Sequence, residues 1–318
     1  MFMKIAVLTS GGDAPGMNAC VRAVVRSTIN NGYEAYGVFD GYKGLVEGKI
    51  KKLDRNDVGQ ILNRGGTILG SSRLESFKEV SVRQKAVDNL KALGIDNLVC
   101  IGGDGTFRGA LALNEMGINC IAIPGTIDND IPSTEFTIGF FTALDTAIDA
   151  IDKLRDTSFS HQRCTVVEVM GRNCGDLSIF SGIATGAEIV ITKDTGYNEE
   201  DILKQVKKAE NVGKRHLIVV VAENIINVFD LASKIQENSG YESRATVLGY
   251  IQRGGTPSSF DRILASKMGV HSVDLLKSGL GGFAVYTKSL DVGHIPLDQA
   301  LKVQAKSSDL YSYLSKLN

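Results

Sequence analysis

The run Lys4-Ile5-Ala6-Val7-Leu8-Thr9-Ser10-Gly11-Gly12-Asp13-Ala14-Pro15-Gly16-Met17-Asn18 decides how the whole chain is read. Lys4–Thr9 is an apolar run without alternation, so it predicts a strand covered on both faces. A glycine-rich turn follows, and Met17–Asn31 then places Ala19, Val21, Ala23, Val24 and Ile29 at helical spacing. Strand, glycine loop and helix form the opening unit of a parallel α/β sheet, a fold that binds ligands at the carboxyl ends of its strands. The same alternation runs on almost to the end. Strands are predicted at Ala35–Phe39, Asn97–Ile101, Cys120–Ile123, Thr165–Met170, Glu188–Ile191, Leu217–Ala222 and Ala245–Leu248. Helices are predicted at Val82–Leu93, Thr106–Met116, Thr142–Asp156 and Glu200–Glu210. The fold class is therefore α/β, with mostly parallel sheets flanked by helices. A length of 318 residues allows two lobes or one large domain.

Composition narrows the function. Hydrophobic residues make up 43% and charged residues 22%, so a full core needs neither disulfides nor a structural metal. The net charge of -1 provides no basic field for nucleic acid, and no polybasic tail points to a membrane surface. No apolar stretch is long enough for a transmembrane helix, and the opening residues run straight into the first loop without a cleavage site. Cys20, Cys100, Cys120, Cys164 and Cys174 lack C-x-x-C spacing, which suits reduced core thiols in a cytoplasmic protein. Only five prolines and no low-complexity tract imply short connections between lobes. Glycine is the outlier: 35 residues, about one in nine where about 7% is usual, clustered where backbone must turn or approach a ligand.

Three glycine-rich loops follow predicted strands. The first, Thr9–Asn18, can gather backbone N–H groups around an anion at a helix start, yet it has neither G-x-G-x-x-G nor Walker spacing. The second, Ile101-Gly102-Gly103-Asp104-Gly105-Thr106, embeds a carboxylate among glycines. Asp104 either serves a nucleotide's Mg²⁺ or caps the following helix. The third, Pro124-Gly125-Thr126-Ile127-Asp128-Asn129-Asp130, holds two carboxylates and a hydroxyl that could supply a general base and a partner, or form a plain Asx-rich turn. Arg73, Arg163, Arg172, Arg244 and Arg253 lie beside small or glycine-rich turns, a pattern that suits a phosphorylated ligand.

Together with Val169-Met170-Gly171-Arg172-Asn173-Cys174-Gly175-Asp176 and Gln252-Arg253-Gly254-Gly255, these loops resemble the bacterial ATP-dependent 6-phosphofructokinase family from the first strand to about residue 285. The resemblance implies two similar Rossmann-like lobes with the active site in the cleft between them. An ATP-binding lobe would take 1–138 plus 251–304, and a sugar phosphate-binding lobe 139–250 plus 305–318. Gly12, Arg73, Leu74, Gly103, Asp104, Gly105 and Thr106 would bind ATP, with Asp104 placing Mg²⁺. Asp128 would be the general base toward the C1 hydroxyl of fructose 6-phosphate, with Thr126, Arg172 and Gly12 stabilising the transferring phosphoryl group. Ile127, Met170, Gly171, Glu223, Tyr250, Ile251, Gln252 and Arg253 would line the sugar site. Arg163 and Arg244 would reach it from a neighbouring subunit of a homotetramer. A second anion site, for ADP or phosphoenolpyruvate, would draw on Arg22, Arg26, Arg55, Arg155, Gly186, Ala187, Glu188, Val212, Lys214, Arg215 and His216.

Two residues depart from the family's pattern. Tyr250 stands where the family usually has His, and it cannot carry positive charge near neutral pH. Val212 stands where a basic residue is common. Read from spacing alone, Arg22 and Arg26 would be a solvated helix face. Gly105 and Gly125 lack the aspartate and lysine of the pyrophosphate-dependent branch, and intact Asp104, Asp128 and Arg172 argue against a catalytically silent paralogue. A dinucleotide oxidoreductase is disfavoured by the absent G-x-G-x-x-G.

Overall fold

The computed structural model describes residues 3–289, 291–304 and 308–317. In chain order the elements are β1 (Lys4–Ser10), α1 (Met17–Asn30), β2 (Glu34–Val38), α2 (Gly41–Val46), β3 (Ile50–Leu53), α3 (Val80–Ala92), β4 (Asn97–Gly102), α4 (Asp104–Asn114) and β5 (Asn119–Pro124). There follow α5 (Phe140–His161), β6 (Arg163–Val169), α6 (Asp176–Thr185), β7 (Ile189–Ile191), α7 (Glu199–Asn211), β8 (Leu217–Ala222), α8 (Val228–Asn238) and β9 (Glu242–Val247). The chain ends with α9 (Ser259–Lys277), β10 (Phe283–Lys288), β11 (Asp291–Pro296), α10 (Leu297–Ala300) and α11 (Tyr311–Leu317). No described helix is long and apolar enough to cross a membrane.

These elements form two compact units. The first holds the chain up to Ile127, Ile131–Thr142 and the stretch from Arg253 through α10; the second holds Asp128–Asp130, Ala143–Gln252 and α11. Against the expected lobe boundaries, Gly139–Thr142 stay with the first unit, while Asp128–Asp130, Ile251 and Gln252 go with the second. The expected boundary at 304/305 lies outside the described residues.

The first unit's sheet has seven strands in the order β11-β10-β5-β4-β1-β2-β3. Its central strands run parallel, and β3 and β11 pair antiparallel at the two edges. Every residue of β4 is buried, as its unbroken apolar run requires. The two edge strands are not predicted from the sequence because edges are wet. In β3, Lys51 and Lys52 are exposed, and β11 carries a glycine and half-buried residues throughout. Above the sheet, Leu8, Phe77, Leu90, Leu98, Phe107 and Leu113 form part of one continuous core.

The second unit has a four-stranded, all-parallel sheet in the order β7-β8-β6-β9. Its core packs Val166, Ile189, Val219 and Val221 against Ile202 and Val206 of α7 and Leu231 and Ile235 of α8. Strand β8 is wholly buried, matching its prediction. Strand β9 begins at Glu242, three residues before the predicted start at Ala245, because its first half is polar and lies at the sheet edge.

One buried carboxylate in the first unit ties two helix starts together. Asp261, fully buried near the start of α9, accepts from the amides of Gly139 and Thr142 (both 2.8 Å) and from the Thr142 hydroxyl (2.6 Å). Ser258, the N-cap of α9, donates its hydroxyl at 3.3 Å. Burial pushes the Asp261 carboxyl up, and these hydrogen bonds pull it back. Asp261→Ala leaves two buried N–H groups without acceptors, each costing about 1–3 kcal/mol. The variant should lose roughly 2–5 kcal/mol of unfolding free energy; a urea midpoint equal to wild type would show that the network contributes nothing.

Candidate active site

In the first unit, strand register brings the three glycine loops side by side. Ser10 of β1 lies opposite Gly102 of β4, which lies opposite Pro124 of β5. All three loops therefore leave the carboxyl edge of one sheet within three adjacent strands, where α/β folds bind ligands. Thr126 is fixed there by its backbone, its amide donating to Ile138 O (3.1 Å) and its carbonyl accepting the Thr137 hydroxyl (2.6 Å).

The loop residues divide into those that build the edge and those that face outward. Thr106 builds it: it is 2% exposed, its hydroxyl donates to Ser10 O (3.1 Å), and its carbonyl accepts from Tyr42 (2.6 Å). Its hydroxyl is thus committed inside, so the expected contact with nucleotide falls to its backbone. Ile127 is likewise in the core, and Leu74 packs on the first unit's core. Arg73 is exposed. Gly105 is the informative glycine. Its φ is not positive, and a Cβ built on it would meet no atom outside its own stretch of helix within 4 Å. Neither backbone strain nor packing demands glycine there, and the position faces open space. A Cβ on Gly12 would approach the Arg253 guanidinium at 3.6 Å, so that expected sugar-site arginine stands beside the first loop.

Asp104 is the first residue of α4, and the N-cap is Gly103, so the capping reading of Asp104 is corrected. Its carboxylate instead takes a two-pronged grip from Arg108 one turn on, Nε–Oδ2 2.9 Å and Nη2–Oδ1 3.1 Å. The side chain is 43% exposed. A single reachable carboxylate suits a Mg²⁺ that carries phosphate oxygens and waters as its other ligands. Among the described residues no group of three or more His, Cys, Asp and Glu side chains could hold a metal by itself.

In the second unit, Asp128–Asp130 meet the loop after β6. Asp128 is half-buried, with its Oδ1 shielded from solvent. Asn129 adopts φ 53 and donates Nδ2 to Asp176 Oδ2 at 2.8 Å. Asp130 Oδ2 lies 3.5 Å from Arg172 Nη1. The Arg172 side chain is 61% exposed, yet its backbone is tightly held. Glu223 Oε1 accepts from the amides of Gly171 (3.1 Å) and Arg172 (2.6 Å), whose φ values are 152 and 55. Gly171 must be glycine, since a Cβ there would meet Cys174 O at 2.6 Å. Beside this loop lies a cavity of about 330 Å³ lined by Arg172–Gly175, Lys193 and Ala222–Ile225. Burial pushes the Cys174 thiol up to about 12, which marks it as unreactive.

Gln252, expected at the sugar site, is fully buried, its Oε1 accepting from Met170 N at 2.9 Å. Met170 is itself 8% exposed. Tyr250 and Ile251 are exposed, at 77% and 59%. Arg163 and Arg244 share one partner, Glu242: Arg163 Nε reaches its Oε2 at 2.8 Å, and Arg244 Nη2 bonds its Oε1. This pairing holds the Glu242 carboxyl below its usual range, chiefly through the Arg163 hydrogen bond.

The residues of the expected second anion site fall into sets described separately. In the first unit Arg22 and Arg26 are half-buried, and Arg55 is exposed. Burial, then Arg26, pushes the Arg22 guanidinium pKa down, so the two arginines form a crowded cationic pair rather than a fully solvated face. In the second unit Arg155 touches His216 Nε2 (3.1 Å) and bonds Thr185 O, while Lys214 pairs with Glu188 (2.8 Å). Glu188 Oε2 also accepts from Ile218 N (2.7 Å). Gly186 is the left-handed C-cap of α6, and Ala187 is buried. Arg215 folds onto Phe159, donating to its carbonyl (3.1 Å) with the guanidinium 4.8 Å from its ring. Val212 is 75% exposed at the C-cap of α7.

Compared with known protein families, residues 4–276 match the model described as phosphofructokinase. The chain belongs to the phosphofructokinase family. An ATP-dependent 6-phosphofructokinase of Vibrio campbellii is 53% identical over 319 residues, covering all of both chains. One of Vibrio cholerae is 51% identical over the same span. Among solved structures, the phosphofructokinase of Saccharomyces cerevisiae superposes with a TM-score of 0.89 at 32% identity over 99% of this chain. That of Pichia pastoris gives 0.90 at 35% identity over the whole chain. This chain spans 46% and 36% of those two longer chains.

Four side chains of this phosphofructokinase escape the sequence reading: Arg108, Asn129, Asp176 and Glu242. Arg108 stands four residues beyond Asp104, a spacing that a helix starting at Asp104 would reveal. Glu242 stands two before Arg244 on one strand face, visible once β9 is extended to its true start. The Asn129–Asp176 bond joins residues 47 apart and has no local signal. As for Glu223, Glu223→Ala removes one acceptor from two N–H groups, each costing about 1–3 kcal/mol to leave unmade. Amide exchange at Gly171 and Arg172 should quicken about tenfold or more per 1.4 kcal/mol lost, while Glu223→Gln, which keeps the acceptor, should stay near wild type. Equal exchange in all three forms would dismiss the anchoring role.

Proposed function

We infer that this chain is an ATP-dependent 6-phosphofructokinase, transferring the γ-phosphoryl group of ATP to the C1 hydroxyl of fructose 6-phosphate. The observation that carries the reading is full-length likeness to ATP-dependent relatives at over half identity, joined to the open space at Gly105. The first unit takes the donor. Gly12, Gly103 and Gly105 let backbone approach the phosphates, and Arg73 is available to their charge. A divalent ion accompanying the nucleotide supplies charge neutralisation on the phosphates, and Asp104 is the carboxylate that would hold it once Arg108 releases one of its oxygens.

The second unit takes the acceptor. Asp128 removes the proton of the C1 hydroxyl as its oxygen bonds to the γ-phosphorus, and ADP departs with the electrons of the broken bond. Arg172, Thr126 and the Gly12 backbone N–H face the charge that spreads over the transferring phosphoryl oxygens. Met170, Gly171, Glu223 and Arg253 orient the sugar. Tyr250 offers it a hydrogen bond without charge, which weakens the hold on the 6-phosphate. The enzyme works in the cytosol as a homotetramer. Arg163 and Arg244, already paired to one carboxylate, act together on the sugar phosphate of a neighbouring subunit. The cationic groups at Arg22, Arg26 and Arg55 and at Arg155, Lys214 and His216 receive a phosphorylated effector, with Val212 making that site weak.

Asp128→Asn should lower kcat by about 10²–10⁴-fold, the usual worth of general-base catalysis. The KM for fructose 6-phosphate should move little. The assay runs with ATP and with pyrophosphate as donors. Turnover with ATP alone supports the reading, whereas turnover with pyrophosphate alone, or a variant keeping half its kcat, overturns the donor or the base respectively.

Assembly has its own expectation. Arg244→Ala and Asp128→Asn chains, each nearly inactive, should regain activity when mixed into one oligomer, because some sites then combine an intact base with an intact arginine. A sedimenting monomer with full activity would refute the shared site.

A further inference from the structure

Asn129 stands between the carboxylates of Asp128 and Asp130 in the left-handed backbone region, at φ 53. A residue other than glycine persists there only when its surroundings hold it, although Asn tolerates the conformation better than most. What holds it is visible. Its Nδ2 donates to Asp176 Oδ2 at 2.8 Å, an orientation settled by an acceptor that can only accept. Asp176 is itself rigidly placed as the first residue of α6, ten residues long, whose Leu177, Ser178, Ile179 and Ser181 are buried. A carboxylate at a helix start is favoured by the exposed N–H groups there. Burial pushes the Asp176 carboxyl up, and the bonds from Asn129 and the Cys174 thiol pull it back. On the other side Asp130 is engaged by Arg172. The loop is thus pinned at two successive residues directly after Asp128.

We propose that Asp176 is a positioning residue for the phosphoryl transfer: through Asn129 it fixes the turn that aims the Asp128 carboxylate. Its rigid helix gives the loop a fixed point to hold to. The proposal rests on Asp128 being the base. A base displaced by about 1 Å loses rate up to about 10²-fold while nucleotide binding is untouched. Mere capping of α6 would instead change stability and leave the ratio of kcat to the KM for ATP alone.

The test reverses the bond. Asn129→Asp sets two carboxylates against each other and should lower kcat about 10²-fold, with the KM for ATP within about twofold of wild type. Asp176→Asn removes the charged acceptor and should lower kcat about 10-fold. The double variant Asn129→Asp/Asp176→Asn exchanges donor and acceptor and should recover kcat well above the Asn129→Asp single. Losses that multiply in the double variant without recovery overturn the proposal. Should Asn129→Asp not fold, Asn129→Gly keeps the left-handed turn and deletes only the donor. Its kcat should fall about 10-fold, and a fully active folded Asn129→Gly overturns the proposal equally. Asp128→Asn measured alongside separates the two ideas. If it stays active, the base assignment fails; if it is inactive and the swap shows no recovery, only the positioning role falls.

Discussion

The parallel pairing of β1 with β4 and of β4 with β5 fixes where everything else in the first unit can go. Because Ser10, Gly102 and Pro124 end three neighbouring strands at one level, the glycine loops that follow must emerge together. Buried apolar side chains on both faces of β4 lock that register, since a one-residue slip would turn every side chain over. The Thr106 hydroxyl then ties the second loop back to the end of β1. The gathering of three glycine loops at one edge is thus a consequence of sheet packing, not of any single loop.

The second unit solves a different problem, which is how to hold charge steady on short loops. Four carboxylates there are committed. Glu223 grips the backbone under Arg172, Asp130 engages its guanidinium, Asp176 grips Asn129, and Glu242 holds Arg163 and Arg244 together. The ion pairs among these contribute little stability, about 0–1 kcal/mol each for exposed pairs. Their value is orientation: they restrict rotamers and left-handed turns before a ligand arrives, which lowers the cost of ordering on binding.

The sequence reading succeeded where physics is local. Apolar runs without alternation marked β1, β4 and β8, and glycine after β1, β4 and β5 marked the loops. It failed at β3 and β11, where half-wet antiparallel edges lack an apolar run, at β10, and at the polar first half of β9. It also said nothing of which way a motif's side chains turn: those of Thr106 and Gln252 bond inward.

By itself, then, the sequence determined the α/β class, the three glycine loops and the family to which they belong. The first two follow from hydrophobic periodicity and from backbone freedom, both readable over a few neighbouring residues. Only the tertiary structure decided that Asn129 answers to Asp176, that Glu223 holds the turn under Arg172, and that Asp104 is clasped by Arg108 rather than capping its helix. Two of these partnerships join residues 47 and 51 positions apart. Hydrogen bonds of about 3 Å reach depend on where strands and helices bring their ends, and no local pattern of residue types encodes that.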